Sequence, residues 1–450
     1  MRVVLLSTYD LGRQPFGLAS PAAWLRRAGF DVTCIDLSRE KLSAETMAAA
    51  DLAAFYLPMH TATRLAMPVV RRLRASYPTL AIAAYGLYAP LNEALLRESG
   101  VSIVLGPEAE QDLVDAAGAA GASGAAGATT LPRLAFIQPD RTGLPALDRY
   151  ASLQMPDGTR KVVGATDATR GCKHRCRHCP IVPIYDGQFR VVPIEVVLAD
   201  VRAQVASGAT HIGFGDPDFF NGPTHARKLV AALHEEFPTL TYDAIIKVEH
   251  LLQHRELLPL LVATGCLFVT SAVESVDDDV LVKLEKGHTR ADFMTAASLC
   301  RAAGLTLAPT FVAFTPWTTV DSYRDLLDVV ETLDLVANVA PVQWGIRLLV
   351  TWQSRLLELP DIQSLVGPFD RTTLTFPWRH VDPRVDDVQQ RITQLVGVRL
   401  TASRHDTFDA IHALAHSSNP EILAKSPHRE ITKSPNPRTS IPYLNEPWYC

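Results

Sequence analysis

Three cysteines stand close together near the middle of this chain, as Cys172, Cys176 and Cys179. Their spacing confines the thiols to one compact loop, which can hold three corners of an iron–sulfur cluster. The next cysteine along the chain is Cys266, which is too far away in sequence to complete a local four-cysteine site. The pattern therefore predicts a cluster with one iron left open for a small molecule, as in a catalytic centre.

Zinc is the alternative occupant of this loop. Structural zinc sites usually combine one pair of cysteines with a second pair of cysteines or histidines and close a tetrahedron. His174 and His178 lie inside the loop and could complete such a site. A second half-site is missing from the sequence, and this favours the iron–sulfur cluster.

Composition narrows the class of protein. With 450 residues, two or three domains are expected, and three clustered cysteines among seven indicate metal binding in a reducing compartment. No apolar run approaches the roughly 20 residues of a membrane span, and no signal peptide is visible, so we expect a cytoplasmic protein without membrane contact. The net charge of −5 argues against nucleic acid as a partner.

Residues 1–115 alternate short apolar runs with amphipathic stretches. The predicted strands cover residues 3–7, 32–36, 52–57, 80–86 and 102–106. This alternation predicts a doubly wound parallel sheet whose ligands bind beyond the carboxyl ends of the strands. No G-x-G-x-x-G motif follows the first strand, which disfavours a dinucleotide site.

The rest of the chain divides into four segments. An Ala/Gly-rich linker with a pre-cluster segment covers residues 116–157, a helical region covers 354–417, and a flexible tail covers 418–450. Strands and helices alternate between residues 158 and 353 and predict a partial or full (β/α) barrel. Its strands are predicted at residues 161–165, 211–215, 242–247, 267–273, 305–312 and 342–347. The fold class is therefore α/β, with the cysteine loop after the first barrel strand.

The order CxxxCxxC resembles the signature of the radical SAM superfamily. In that family the three cysteines bind a [4Fe–4S] cluster, and the open iron chelates the amino and carboxylate groups of S-adenosylmethionine (SAM). The residue before the third cysteine is usually aromatic, and here it is His178. The resemblance implies reductive cleavage of SAM to a 5′-deoxyadenosyl radical, a small-molecule substrate and an external electron donor of the flavodoxin or ferredoxin type.

Residues at the predicted strand ends extend this resemblance. Gly215 and Asp216 match the position where the family holds the methionine amino group, although Asp216 could instead belong to an Asp-Pro turn. Glu274 and Ser275 resemble a G-x-E-S segment whose glutamate binds the ribose hydroxyls, and the same residues could begin the next helix. Thr310 lies in a segment that resembles the one cradling adenine. These five residues are the candidate cofactor-binding set.

The N-terminal unit resembles the cobalamin-binding domain of one branch of the superfamily. The D-x-H-x-x-G signature of many cobalamin proteins is missing, since Asp10-Leu11-Gly12 follows the first strand. Two interpretations stay open: a cobalamin site, or a domain of the same fold that closes the active site without a cofactor. Cobalamin would favour methyl transfer, and its absence would favour hydrogen abstraction. A tRNA methylthiotransferase and a non-catalytic cluster- or zinc-binding protein are the alternative functions.

The final residues, IPYLNEPWYC, resemble the terminal motif of the CUAEP/CCAEP-tail radical SAM proteins. In that group the aromatic run continues through a Cys-Cys or Cys-selenocysteine pair, whereas this sequence stops at Cys450. We expect either continuation through selenocysteine or a single terminal thiol. In the first case the pair would act in the active site as reductant, hydrogen donor or soft ligand, which makes Cys450 the candidate catalytic residue.

Overall fold

A computed structural model describes residues 1–119, 131, 133–399, 402–416 and 441–445. Cys450 and most of the predicted tail therefore lie outside the described residues. No helix among the described residues is long and apolar enough to cross a membrane.

Five parallel strands and six helices build the N-terminal unit. The strands are β1 (Arg2–Ser7), β2 (Asp31–Asp36), β3 (Leu52–Tyr56), β4 (Ala81–Tyr85) and β5 (Ile103–Val104). The helices are α1 (Phe16–Arg27), α2 (Ala44–Ala48), α3 (His60–Ser76), α4 (Tyr88–Leu91), α5 (Glu93–Glu98) and α6 (Glu110–Ala119). The order across the sheet is β2-β1-β3-β4-β5, with every neighbouring pair parallel. Strand order reverses between β1 and β3, where doubly wound folds bind ligands.

The central strands of this sheet are apolar on both faces. Val4 and Leu6 of β1 pack into one hydrophobic cluster, while Val3 and Leu5 pack into the cluster on the opposite face. Successive side chains of a strand point to opposite faces, so a continuous apolar run requires cover on both. The helices supply this cover and confirm the predicted doubly wound sheet.

In the second unit, the described residues form nine strands and eleven α-helices. The strands are β6 (Ser152–Gln154), β7 (Arg160–Thr166), β8 (Thr169–Gly171), β9 (Phe189–Val191), β10 (His211–Phe214), β11 (Thr241–Ile245), β12 (Cys266–Glu274), β13 (Thr306–Phe311) and β14 (Tyr443–Leu444). The helices are α7 (Val182–Tyr185), α8 (Ile194–Ala206), α9 (Pro223–Glu236), α10 (Val248–Gln253), α11 (Leu258–Ala263), α12 (Asp278–Lys283), α13 (Arg290–Ala303), α14 (Val320–Thr332), α15 (Pro360–Leu365), α16 (Pro383–Val398) and α17 (Arg404–His416).

These strands form an open half-barrel. The order across the sheet is β13-β12-β11-β10-β7-β6-β14. Strands β7 and β10–β13 are parallel, whereas β6 pairs antiparallel with both β7 and the edge strand β14. Helices between the parallel strands pack on one face and build the largest hydrophobic cluster. The structure therefore confirms the partial barrel rather than the full one.

The predicted strand at residues 342–347 is wrong. Pro341–Gly345 is a 3₁₀ helix, and Arg347 makes only an isolated parallel bridge with Phe314. Proline favours the first helical position, and the buried Gln343 side chain accepts the Phe311 backbone N–H at 2.9 Å. That bond takes the place of a sixth strand at the edge of β13.

The C-terminal helices close one side of the half-barrel through aromatic packing. Phe408 of α17 is 2% exposed and lies against Trp344, which stacks on Phe311 of β13, with ring centroids 5.2 and 6.2 Å apart. Phe408 and Ile411 recur at helical spacing on the buried face of α17.

Phe408→Ala tests this packing. We expect the free energy of unfolding to fall by about 3–5 kcal/mol, because truncating a buried phenylalanine removes apolar contacts and leaves a cavity. Val398→Ala is the matched control, since Val398 is 84% exposed and its truncation should change stability by less than about 0.5 kcal/mol. Urea unfolding followed by tryptophan fluorescence measures both, and equal losses would contradict the packing role of α17.

Candidate functional site

A cavity of about 1830 Å³ lies between the carboxyl ends of the two parallel sheets. The N-terminal unit contributes loop residues after β1, β3 and β4, represented by Asp10, Pro58 and Gly86. The half-barrel contributes Gly215 after β10 and Glu274 at the end of β12. Pockets for one small ligand usually measure about 300–1,000 Å³, so this cavity has room for more than one.

The three clustered cysteines lie in a loop that opens onto this cavity. The antiparallel pair β8–β9 holds the two ends of the loop together. Gly171, immediately before Cys172, has a φ of 77°, and a Cβ there would lie 2.4 Å from the Tyr185 ring. Only glycine fits this turn, and its backbone reaches the cavity wall. The glycine at residue 171 thus sets the position of Cys172 at the start of the loop.

Hydrogen bonds from outside the loop hold its backbone. Asn221 accepts the Lys173 N–H at 3.2 Å and donates to the Gly171 carbonyl at 3.2 Å. On the other side, the Arg177 backbone N–H donates to the Leu284 carbonyl at 2.9 Å. The loop is therefore braced between the region after β10 and the end of α12.

Burial raises the pKa of two of the thiols. The pKa of Cys172 rises to about 11 and that of Cys179 to about 12, because the protein interior disfavours a thiolate. Such thiols stay protonated at neutral pH unless a metal replaces the proton. Their chemistry fits metal ligands better than free nucleophiles.

Glu274 lies at the centre of a charged group beside the loop. Its carboxylate is 3.1 Å from Nε2 of His178 and 3.3 Å from Nζ of Lys286. Burial alone would raise the pKa of Glu274, but Lys286 and then His178 outweigh burial and hold it at about 2. Glu274 also has a φ of 69° next to a register shift in β12, which turns its side chain toward the cavity.

Asp216 has a different position from Glu274. Its buried carboxylate accepts the Ala168 N–H at 2.9 Å and the Thr169 hydroxyl at 2.5 Å, and it does not line the cavity. Burial and then the charge of nearby Asp167 together raise the pKa of Asp216 to about 7, against the hydrogen bonds from Thr169 and Ala168. The carboxylate thus supports the strand that leads into the cysteine loop, while a cofactor-binding role stays a prediction.

The other predicted cofactor residues separate into two groups. Gly215 and Thr310 line the cavity, and a Cβ at Gly215 would lie 2.6 Å from the Asp167 carboxylate. Ser275 does not line the cavity, and its hydroxyl accepts the Asp277 N–H at 3.0 Å in the turn before α12. The structure therefore brings Gly215, Glu274 and Thr310 together with the cysteine loop.

Comparison with known families identifies the central segment. Residues 167–333 match the family described as the Radical SAM superfamily. The match contains the three clustered cysteines and Glu274. The central segment is a radical SAM domain.

Solved structures with the same arrangement extend the likeness beyond this radical SAM domain. One is the cobalamin-dependent S-adenosylmethionine radical enzyme OxsB with aqua-cobalamin bound, which aligns with 92% of this chain and 72% of its own at a TM-score of 0.71 and 13% identity. Another is the radical S-adenosylmethionine methyltransferase TsrM from Kitasatospora setae with cobalamin and a [4Fe–4S] cluster, at 74% and 70% coverage, a TM-score of 0.58 and 18% identity. At these identities the likeness shows the fold alone.

Curated relatives match a shorter part of the chain. The hopanoid C-3 methylase of Methylococcus capsulatus is 24% identical over 160 residues, which are 36% of this chain and 30% of the relative. The tRNA-2-methylthio-N(6)-dimethylallyladenosine synthase of Fusobacterium nucleatum is 24% identical over 186 residues, covering 36% of this chain and 39% of the relative. The chain thus matches about a third of the length of these proteins.

A buried group of ion pairs beside the cysteine loop was not predicted from the sequence. Arg170 of β8 lies 2.6 Å from Glu110 and 3.4 Å from Glu108, both of the N-terminal unit. The Tyr185 hydroxyl donates to Glu108 at 2.9 Å. These contacts join the cysteine loop directly to the N-terminal sheet, and no local motif signals a pairing between residues so far apart.

Asp10 and Asp167 form a second feature without a sequence signal. They line the cavity from opposite units, and the charge of Asp167 adds to the rise in the pKa of Asp10. The Asp167 side chain is 22% exposed, yet burial raises its pKa to about 6 against the opposing charge of Arg170. Burial raises the pKa of Asp10 to about 7, against the opposing effect of Arg13.

Asp10→Asn tests this protonation. A raised pKa means that the folded protein binds the proton more tightly than the unfolded chain does, so stability falls as pH rises from about 4 to about 7. The variant lacks this term, and its stability relative to the wild type should increase between pH 5 and pH 8. Urea unfolding at both pH values measures the difference, with the exposed Asp148→Asn as control. Parallel pH profiles for wild type and Asp10→Asn would contradict the assignment.

Proposed function

We propose that this protein is a radical SAM enzyme that acts on a small molecule, with cobalamin held by its N-terminal unit. The observation that carries the proposal is the shared cavity, which joins the cysteine loop of the radical SAM domain to the strand-order switch between β1 and β3. When bound, the cluster and SAM supply a one-electron reductive cleavage that yields methionine and a 5′-deoxyadenosyl radical. The chain's own residues hold, orient and shield the reactants.

The thiols fit a cluster with one open iron. Cys172, Cys176 and Cys179 occupy one braced loop, and burial disfavours two of them as free thiolates. Burial alone would lower the pKa of Lys286, but the negative charges of Glu274, Cys176 and Cys179 raise it. Lys286 therefore lies close enough to the thiols to interact with their charge. A fixed cation beside thiolate ligands offsets part of their negative charge.

SAM fits the wall of the cavity beside the loop. Gly215 leaves space for backbone contact, Glu274 presents an ionised carboxylate, and Thr310 adds a polar group one strand away. An ionised carboxylate can accept hydrogen bonds from ribose hydroxyls, and its low pKa keeps it ionised. We assign Gly215, Glu274 and Thr310 to SAM and give Asp216 and Ser275 supporting positions around them.

The opposite wall of the cavity has room for a large cofactor and offers aromatic surface to it. It contains aromatic side chains at the carboxyl ends of β3 and β4, including Tyr56 and Tyr85. Gly86 has a φ of 104°, and a Cβ there would lie 2.8 Å from the Leu57 carbonyl oxygen, so glycine keeps this wall close to the strand ends. The cobalamin-bound neighbours OxsB and TsrM support the same assignment by fold. Methyl transfer to an unactivated carbon is the favoured reaction, and hydrogen abstraction is the alternative without cobalamin.

A small substrate and a protein electron donor suit the two sides of the loop. The reacting space lies between the two units, whereas a tRNA substrate would need a basic surface that the net charge of −5 does not suggest. Lys173 and Arg175 of the loop are exposed on the surface. Two exposed cations next to the cluster suit an acidic flavodoxin- or ferredoxin-type donor.

Cys450 is the candidate residue for the last step of the reaction, in which a radical is reduced or receives a hydrogen atom. Residues 441–445 line the cavity, and Tyr443–Leu444 pairs with β6. Cys450 is five residues beyond Asn445, so a chain extended at about 3.3–3.6 Å per residue reaches at most about 18 Å. We propose that its thiol enters the cavity as a reductant or hydrogen donor.

Cys176→Ala tests SAM cleavage. We expect the anaerobically reconstituted variant to lose the brown chromophore and to form at least a hundredfold less 5′-deoxyadenosine, because a missing ligand destabilises the cluster. Cys300→Ala is the matched control, since Cys300 is a buried core thiol in α13. Chromatography of reactions with SAM and dithionite measures the product. Absence of 5′-deoxyadenosine from the wild type would contradict the proposed function.

Leu87→Trp tests cobalamin binding separately. Leu87 lines the N-terminal wall of the cavity, and a larger side chain should exclude the cofactor while leaving the cluster and SAM cleavage in place. Leu65→Trp adds the same ring at a position that is 50% exposed. Optical spectra after gel filtration with hydroxocobalamin measure retention, which we expect in wild type and Leu65→Trp only. A wild type without corrinoid bands would leave the N-terminal unit as a cofactor-free cover.

A further inference from the structure

A second group of ligand-type side chains lies beside the cysteine loop and outside the cavity. His174 belongs to the loop, Asp218 follows β10 and His250 lies in α10. One ligand atom from each of the three lies within 4.8 Å of the others. The side chains of Asp218 and His250 are 2% and 0% exposed, and that of His174 is 12% exposed.

The atoms that face one another have no hydrogen bonds among the described residues. Asp218 uses Oδ1 to accept the Phe220 N–H at 3.1 Å, while its Oδ2 lies 2.6 Å from Nδ1 of His250 and 3.4 Å from Nε2 of His174. Both contacts are charge contacts without hydrogen-bond geometry, so Oδ2 and the facing ring nitrogens are buried without a hydrogen bond. Buried polar groups are nearly always satisfied, which points to an additional ligand between them.

We propose that His174, Asp218 and His250 bind a divalent transition metal of the zinc class. Two imidazoles and one carboxylate oxygen are a common donor set for such ions. Ligand distances of about 2.0–2.1 Å in a tetrahedron place neighbouring ligand atoms roughly 3.3–3.4 Å apart. The separation between Oδ2 of Asp218 and Nε2 of His174 already has this value, and that to His250 would open by roughly 0.7 Å.

Two charged groups behind His174 determine how its ring could act as a ligand. Its Nδ1 lies 3.1 Å from Nζ of Lys247 and 3.6 Å from Oε2 of Glu249, and these two side chains are paired at 3.1 Å. A metal on Nε2 requires the ring proton on Nδ1, so the Lys247 ammonium would give up its contact with Nδ1 and keep its pair with Glu249. The Glu249 carboxylate, 3.6 Å from Nδ1, would then become the acceptor, as carboxylates commonly are behind metal-bound histidines. Glu249 also balances the charge of Lys247.

The position of the site gives the metal a structural consequence. It would tie the cysteine loop, through His174, to the segments that follow β10 and β11. Asn221, three residues after Asp218, already bonds the backbone of the same loop at Gly171 and Lys173. The metal thus adds a side-chain anchor to an existing backbone anchor.

Zinc analysis of the full-length, cluster-loaded protein tests the site. After incubation with zinc and desalting, elemental analysis should find one zinc per chain in addition to the cluster iron. His250→Gln and Asp218→Asn should retain at least tenfold less zinc and unchanged iron. Asparagine keeps the oxygen that accepts the Phe220 N–H, so Asp218→Asn preserves the turn.

Two histidine variants are matched controls. His254→Gln changes the ring nearest to His250 along the chain, with centroids 5.7 Å apart, and His412→Gln changes the exposed Asp328–His412–His416 group. Both should retain zinc.

X-ray absorption at the zinc edge separates this site from zinc in the cysteine loop. We expect nitrogen and oxygen neighbours at about 2.0–2.1 Å and no sulfur near 2.3 Å. No zinc in the wild type, a sulfur-containing shell, or full retention in His250→Gln would each overturn the proposal. None of these outcomes depends on SAM cleavage, so the metal site and the proposed function stand or fall separately.

Discussion

The carboxyl ends of the parallel strands in both sheets meet at one cavity, and the positions of the candidate groups follow from this shared edge. Loops leave parallel sheets at that edge, so Asp10, Gly215 and Glu274 face the same space although they are distant in sequence. Arg170 joins the two edges because it extends from β8 to Glu110 of the N-terminal unit. Removal of the Arg170 side chain would leave Glu108 and Glu110 buried without their cation, which costs about 3–5 kcal/mol.

Charge balance decides what the cluster side of the cavity can do. A buried carboxylate resists ionisation, yet Lys286 and His178 keep Glu274 ionised and directed at the cavity. Arg13 beside Asp10 and Arg170 beside Asp167 only partly offset burial, which still raises the pKa of each carboxyl. The cavity thus holds two kinds of carboxyl group: Glu274 stays ionised, while Asp10 and Asp167 bind their protons more tightly than free carboxyls do.

Much of the fold was predictable because its signals are local. Continuous apolar runs predicted the five parallel strands of each sheet, and the run at residues 161–165 placed the cysteine loop after β7. Strands β6 and β14 were not predicted. The strand prediction for residues 342–347 was wrong because Gln343 lies in a 3₁₀ helix and accepts a hydrogen bond from Phe311 at the edge of β13. The hydrophobic pattern of the sequence cannot reveal such a contact. The sequence did not show that Asp216 would accept a hydrogen bond from Ala168. The repulsion between Asp167 and Asp10 depends on how the two units meet. Tertiary contacts, rather than local preference, decide such positions.

The central claim is that the cysteine loop presents an open iron to SAM inside the shared cavity. Electron–nuclear double resonance on the reduced cluster, with SAM labelled at its amino nitrogen, tests this claim most directly. We predict a hyperfine coupling between the cluster and the labelled nitrogen, because the amino group would bind the iron that no cysteine ligates. A reduced cluster whose resonance spectrum is unchanged by SAM would contradict the claim.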